Sequence, residues 1–447
     1  MAFTFQDDDL TIDDQEKKCQ GGRGGWRKAK LANLLHQTHP GFSSALAHKL
    51  NKSALCQVLK IGSDVSNSAT QTMRYRLTPL NEIVERLGFH LGDVALGEIT
   101  SKPVCLPDKR DFRIVPSTAS GKSGASIFMA TFLGQYDTII KAAQVSSRLN
   151  HHVTQSAAGR EAWIHARLSD NILFSRHAPG LLGHGCSYLC KTAKVKDALK
   201  LKGHLRTWTL MTYMEKGAYT LFRHLYNNSE TLDNDAYRAL FFKILFTLAT
   251  ITHRFKRFRH NDLHAGNILL VSSPTVTHET FEWPHDEPVQ WYLPPSGHTP
   301  AIYDFGFAYL EPGQPYGAEF EYRAGMSSKV DRYYDLHTFF NNILNVVHEF
   351  SLELPTETRN FIEHVVPPVL QISHRPNKKR REIITEDLDH GRFWYGREPR
   401  EAPRTQAYIK RMTNPNMALS LIKTHPYFAQ YRQKPADRAN VSNIWRA

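Results

Sequence analysis

The sequence predicts an α+β protein of two unequal lobes with a cleft between them, a small β-rich part followed by a larger helical part. Three observations lead there. From about residue 101 to residue 217, short alternating apolar runs are broken by turn residues, whereas beyond Gly217 apolar residues recur at helical spacing. Within that second part lies "RHNDLHAGNILL", Arg259 to Leu270, a polar stretch with two histidines, an aspartate and an asparagine, closed by an apolar run.

Composition narrows the class. With 447 residues and 41% hydrophobic content, the chain can build one large two-lobed domain with an appendage, or two or three ordinary domains. No run approaches the roughly eighteen apolar residues of a membrane span, and "MAFTFQDDDLTIDDQEKK" is acidic where a secretory signal would be basic and then apolar. An intracellular protein, of cytoplasm or nucleus, is therefore expected. Five cysteines form no disulfide framework, so Cys186 and Cys190 are read as buried or idle thiols in a reducing compartment. The net charge of +13 asks for an anionic partner: nucleotide phosphate, nucleic acid or an acidic protein segment. Its densest run is "RPNKKRR", Arg375 to Arg381, a solvated basic loop or a nucleic-acid or import contact.

Along the chain, residues 1–25 read as a disordered acidic leader and residues 26–100 as a helical module, with leucines three and four apart and a helix stop at Gly62. Its "LNKSALCQVLK" is similar to the second helix of SAP-type nucleic-acid-binding modules. Residues 101–217 form the β-rich lobe, in which "DFRIV", "ASIFMATFL" and "DTIIKAA" are consecutive strands, with a hairpin turn at Gly134–Gln135. The helix "SAAGREAWIHARL" follows, then strands through "TWTLMTYM". Residues 218–435 form the helical lobe, opened by "DAYRALFFKILFTLATITHRF", with insertions at 272–299 and 373–405; residues 436–447 are a tail.

The chemistry resides in two stretches. "HNDLHAGN" places His260, Asp262, His264 and Asn267 on one turn before the strand-like "ILLV", and "AIYDFGFAYL" runs an apolar strand into Asp304-Phe305-Gly306. Together they match the H-x-D-x-x-x-x-N and D-F-G signature of protein kinases. The sequence resembles a divergent eukaryotic-type protein kinase over roughly Asp111 to Phe428. Its "DLHAGN" is similar to haspin and to serine/threonine kinases of large DNA viruses, and also to small-molecule phosphotransferases. Such a likeness implies the bilobal protein-kinase fold, ATP and Mg2+ as cofactors, and a location in a host cell or a virion.

The resemblance carries over residue by residue. Asp262 stands at the catalytic base, Asn267 and Asp304 at the metal ligands, and His264 where many members carry a lysine, which implies weaker or pH-dependent charge stabilisation. His260 is read as structural. Lys141 in "TIIKAA" matches the phosphate-pairing lysine, and Glu161, the one carboxylate between it and Asp170, matches its ion-pair partner. "ASGKSG" supplies Ala119, Gly121 and Gly124 for the phosphate loop, whose glycines admit close backbone approach. Thr212, Tyr213 and Met214 in "TYMEKG" lie where the adenine edge would meet the hinge.

Competing readings have less to stand on. "PSTASGKS" differs from a Walker A loop at its first residue, but a strand-like "ASIFMATFL" follows where that loop requires a helix. Zinc at His260 and His264 would need a helix instead of a loop. The chain departs from the family in a long connection between Asn267 and Asp304, expected to form an extended hairpin or flap beside the active site, and in having no A-P-E tripeptide after Gly306. Asp335, with Asp331 as rival, resembles the buried aspartate that anchors the catalytic loop. Tyr316, Tyr322, Ser327 and Ser328 are modifiable hydroxyls. The expected function is an ATP-dependent serine/threonine protein kinase acting on a protein substrate. A small-molecule kinase and a pseudokinase scaffold are the alternatives. Docking of nucleic acid or protein is expected through the N-terminal module or residues 375–381, and no membrane partner.

Overall fold

Alternating apolar residues build the first part of the fold. The computed structural model describes residues 69–95, 105–106, 112–120, 125–132, 136–145, 156–199, 201, 208–229, 231–272, 278–310, 333–366, 414, 416–434 and 441–447. The chain divides into two units, Met1–Arg74 and Tyr75–Ala447, and the sheets belong to the second. Strands β1 (Asp93–Ala95), β2 (Phe112–Ser120), β3 (Ser126–Phe132), β4 (Tyr136–Val145), β5 (His184–Lys191) and β6 (Trp208–Glu215) form one sheet in the order β1-β5-β6-β4-β3-β2. Neighbours are antiparallel except β1, which runs parallel to β5. Because β3 is a strand, the stretch after Lys122 lacks the helix that a Walker A loop needs.

Side chains alternate across this sheet, so each face acquires its own cover. On one face Phe128, Ile140, Tyr188 and Tyr213 pack with Leu80, Ile83 and Val84 of helix α1 (Ala69–Arg86). On the other, Val145, Leu189 and Leu210 meet Ala162 of helix α2 (Ala157–Leu168), which Ser156 caps by accepting from the Gly159 amide at 3.0 Å. Cys190 is bonded to Cys105 in a disulfide, and Cys186 remains a buried thiol. This corrects the expectation of idle thiols and removes the support that cysteine usage gave to a reducing compartment. The pair spans 85 residues and meets only through the fold, so cysteine spacing carried no trace of it.

Helices dominate after β7 (Tyr219–Thr220), which joins β8 (Ile268–Ser272) and β11 (His298–Ile302) in a small sheet. Short α3 (Thr192–Leu199) and α4 (Leu221–Asn228) precede α5 (Asn234–Arg254). Helix α5 is capped by Asp233 and has fifteen consecutive buried residues, Tyr237 to Ile251. It is buried all round and therefore forms the axis of the lobe. Helices α6 (Tyr334–Glu349), α7 (Thr356–Val365) and α8 (Met417–Thr424) complete it.

The insertion after Ser272 is a hairpin of β9 (His278–Trp283) and β10 (Val289–Leu293), but it is not a flap beside the active site. Its apolar face, with Phe281 and Trp291, lies edge-to-face on Phe242 and Phe246 of α5. The residues read as a tail contribute β12 (Val441–Arg446), paired parallel to β9 with Trp445 buried. Lys243 and Glu279 form an ion pair between α5 and β9 at 1% and 0% exposure. Among the described residues no helix is long and apolar enough to cross a membrane.

The leader, most of the helical module with Gly62, the turn at Gly134–Gln135, residues 311–332 with the modifiable hydroxyls, and the insertion at 373–405 with its basic run all lie outside the described residues.

Lys243→Met should lower unfolding free energy by about 3–5 kcal/mol, since it strands a buried carboxylate, whereas Lys243→Met with Glu279→Met should restore most of the loss. Denaturant unfolding of both variants measures this; equal losses would contradict the pairing.

Candidate active site

Helix α5 delivers the chain into the loop at Arg259, which exchanges two backbone hydrogen bonds of 2.8 Å with Tyr309. The next two amides, His260 and Asn261, donate to the two carboxylate oxygens of Asp335 at the start of α6, at 2.7 and 2.9 Å. Asn261 adopts a left-handed conformation (φ 63°), tolerable for asparagine, and its side-chain amide donates to the Phe307 carbonyl at 2.9 Å. Asp262 therefore emerges from a turn fixed on both sides. Asp331, the rival anchor, lies outside the described residues.

Asn267 closes the loop. Its amide nitrogen donates to the Asp262 carbonyl at 2.8 Å and to Asp262 Oδ2 at 3.1 Å, which turns the amide oxygen away from that carboxylate. His264 Nδ1 accepts from the Gly266 amide at 3.0 Å, leaving Nε2 3.8 Å from Asp262 Oδ2. Burial pushes the Asp262 carboxyl above its ordinary value, with His264 and His260 opposing the shift. Strand β8 then pairs with β11, Ile268 opposite Ile302, and the Tyr303 amide donates to the Asn267 carbonyl. This pairing brings Asp304, itself left-handed at φ 62°, to the same end of the sheet as Asn267.

The N-terminal lobe adds the cation. Lys141 on β4 lies 2.5 and 2.7 Å from the two carboxylate oxygens of Glu161 on α2, and 4.0 Å from Asp304 Oδ1. Burial works against the lysine's charge, but Glu161 and Asp304 outweigh it and raise its pKa. The ammonium is therefore kept charged. Asp304 is 43% exposed beside it, and among the described residues no cluster of three or more His, Cys, Asp and Glu side chains could hold a metal alone. Two hard oxygen donors, from Asn267 and Asp304, fit magnesium, which takes few protein ligands alongside phosphate oxygens.

The residues expected at the hinge divide by strand alternation. Thr212 and Met214 line a pocket with Lys141, Glu161 and His165, whereas Tyr213 belongs to the opposite face, packed with the α1 side. Ala119 falls within β2, while Gly121 and Gly124 lie outside the described residues.

Sequence reasoning missed a column of rings through the lobe boundary. His184 meets His165 at 5.3 Å, His165 meets Phe305 at 5.3 Å, and Phe305 meets His260 at 5.3 Å between ring centroids. His165 sits four residues after Glu161, on the same helix face, so the spacing could have found it. Its Nε2 donates to the Leu182 carbonyl at 2.8 Å and His260 Nε2 to the Tyr303 carbonyl at 3.0 Å. His184 Nε2 donates to Ser187 Oγ, which donates in turn to Thr212 Oγ1.

No family model matches the sequence. The R400 protein of Acanthamoeba polyphaga mimivirus, named provisionally as a serine/threonine-protein kinase, is 28% identical over 181 residues. That similarity is to a kinase-like family. The match covers 37% of this chain and 37% of the viral protein, and it does not single out a haspin-like branch. The architecture of mixed sheets and helices is compatible with a kinase-like fold.

Burial lowers the His165 pKa from 6.5 to about 4, so the imidazole is neutral in the folded chain. The unfolded chain takes up the proton first as pH falls, so stability present above pH 6.5 is lost down to about pH 4. The wild type should lose roughly 3 kcal/mol more than His165→Leu across that window. Denaturant unfolding at several pH values measures it, and parallel curves would contradict the buried neutral state.

Proposed function

We propose that the chain is an ATP- and Mg2+-dependent serine/threonine protein kinase that transfers the γ-phosphoryl group to protein hydroxyls. The observation that carries the proposal is the meeting of Lys141, Glu161 and Asp304, from strand, helix and loop, at the mouth of the loop bearing Asp262 and Asn267. A scaffold has no chemical reason to hold a lysine charged between two carboxylates beside a third, Asp262, fixed by Asn267.

In this reading Glu161 orients Lys141, whose ammonium meets the phosphates. Magnesium, when bound, neutralises phosphate charge, and the oxygens of Asn267 and Asp304 would hold it. Asp262 accepts the hydroxyl proton as the acceptor oxygen bonds to phosphorus and the bond to the leaving diphosphate breaks. Its pKa, raised by burial, makes the carboxylate a better base. His264 Nε2, 3.8 Å from Asp262 Oδ2, adds positive charge beside the reacting groups when protonated. The segment Ala119–Gly124 would cover the phosphates, and the strand end from Thr212 through Met214 would border adenine. Docking of protein or nucleic acid through the N-terminal module or the basic run at 375–381 is part of the proposal, with the chain in the cytoplasm or nucleus of a host cell or in a virion.

Asp262→Asn should lower phosphate transfer from labelled ATP to casein-like and basic proteins by roughly 10²- to 10⁴-fold while leaving nucleotide affinity largely intact. Asp304→Ala should abolish transfer. Label on serine or threonine that disappears in both variants supports the proposal. Nucleotide binding with transfer only to sugars or amino alcohols would replace it with a small-molecule kinase, and binding without transfer would make the chain a pseudokinase.

A further inference from the structure

The back of the nucleotide strand is held by a residue outside the kinase-like match of motifs. Glu215 ends β6, directly after Met214, and its side chain points away from solvent at 3% exposure. Arg76 of α1, at 1% exposure, grips it with two parallel hydrogen bonds, Nε to Oε1 at 2.8 Å and Nη2 to Oε2 at 2.9 Å. The same guanidinium donates to the Pro179 carbonyl at 2.7 Å and the Leu181 carbonyl at 2.9 Å. Gly183 completes the cluster: its amide donates to Glu215 Oε2 at 2.9 Å, and its carbonyl accepts from the Glu215 amide at 2.8 Å.

One side chain thus ties together the end of β6 and the segment that leads from the Glu161 helix into β5. The planar, forked guanidinium suits this task because its donors are fixed in direction, unlike the ammonium of lysine. The sequence has made room for it. A Cβ on Gly183 would lie 2.8 Å from Leu77, and one on Gly185 2.8 Å from both Leu80 and Val84, so α1 seats directly on the backbone of β5. Thr138 Oγ1 also donates to the Met214 carbonyl at 2.7 Å, which fixes the last turn of β6 from the side of β4.

We propose that Arg76 is a positioning residue for nucleotide binding: through Glu215 it sets the backbone at the end of β6 against which adenine packs. The inference rests on the kinase reading of the cleft. It makes the Arg76–Glu215 pair part of the nucleotide site's frame, so that loosening this grip changes affinity for ATP while the chemical groups at Asp262 and Lys141 stay in place.

The test uses the full chain with a fluorescent ATP analogue and Mg2+, alongside KM for ATP and kcat. Arg76→Lys keeps the charge but loses the fork, and should raise the dissociation constant and KM about five- to tenfold while kcat stays within about twofold. Leu80→Ala, a packing change on the same helix, should lower the melting temperature without that rise. An unchanged dissociation constant in Arg76→Lys, or an equal rise in Leu80→Ala, overturns the proposal. If Arg76→Lys does not fold, Glu215→Gln reads the same quantity, with the same rise expected and an unchanged constant again contrary. A wild type that binds no analogue would overturn the nucleotide reading as well; unchanged binding in the variant alone overturns only the role of Arg76.

Discussion

The loop that carries Asp262 depends on one carboxylate that is not itself poised for chemistry. Asp335 accepts from two successive amides, His260 and Asn261, and so holds a turn in which Asn261 is left-handed. Such a conformation costs of order 1–3 kcal/mol, and a hydrogen bond to a charged group contributes about 1.5–3 kcal/mol, so two of them offset the strain. Without that anchor, the turn that presents Asp262 to Asn267 would not be held, although the pairing of β8 with β11 fixes Asn267 beside Asp304. The strain at Asn261 and at Asp304 brackets the groups that matter, which is where stored strain has a use.

A second constraint runs across the lobes. His184, His165, Phe305 and His260 form a continuous contact of rings, so the helix carrying Glu161, the turn carrying Asp304 and the loop carrying Asp262 share one packed column. Its imidazoles must stay neutral where burial denies them a counter-charge, as the lowered pKa values of His165 and His184 record. Packing and proton chemistry are therefore the same requirement here. A charged ring at His165 would push against Lys141, whose own charge Glu161 maintains.

Local patterns were legible; distant pairings were not. Helix α5 could be read because its apolar period persists over several turns, and β4 because alternation placed Lys141 among aliphatic neighbours. Glu161 could be found because no other carboxylate competed for the position. Asp335 was readable as an anchor, though the choice against Asp331 needed coordinates. By contrast, Arg76 and Glu215 are 139 residues apart, Cys105 and Cys190 are 85 apart, and Arg446 reaches Glu282 across 164. A single side-chain pair at such separation leaves no periodic trace in either segment. An extended hairpin was expected between Asn267 and Asp304, but its seat on α5 depends on Phe242 and Phe246, whose place in the apolar helix carries no mark of the partner they meet.

In the proposed kinase reading, Lys141, Asn267 and Asp304 form one phosphate and metal site facing Asp262. A crystal structure with Mn2+ and a non-hydrolysable ATP analogue tests it most directly, because manganese reports its own position by anomalous scattering. The metal is expected on oxygens of Asn267 and Asp304, with the phosphates reaching Lys141 and the terminal phosphate facing Asp262. Nucleotide bound elsewhere, or metal bound away from both oxygens, would contradict it.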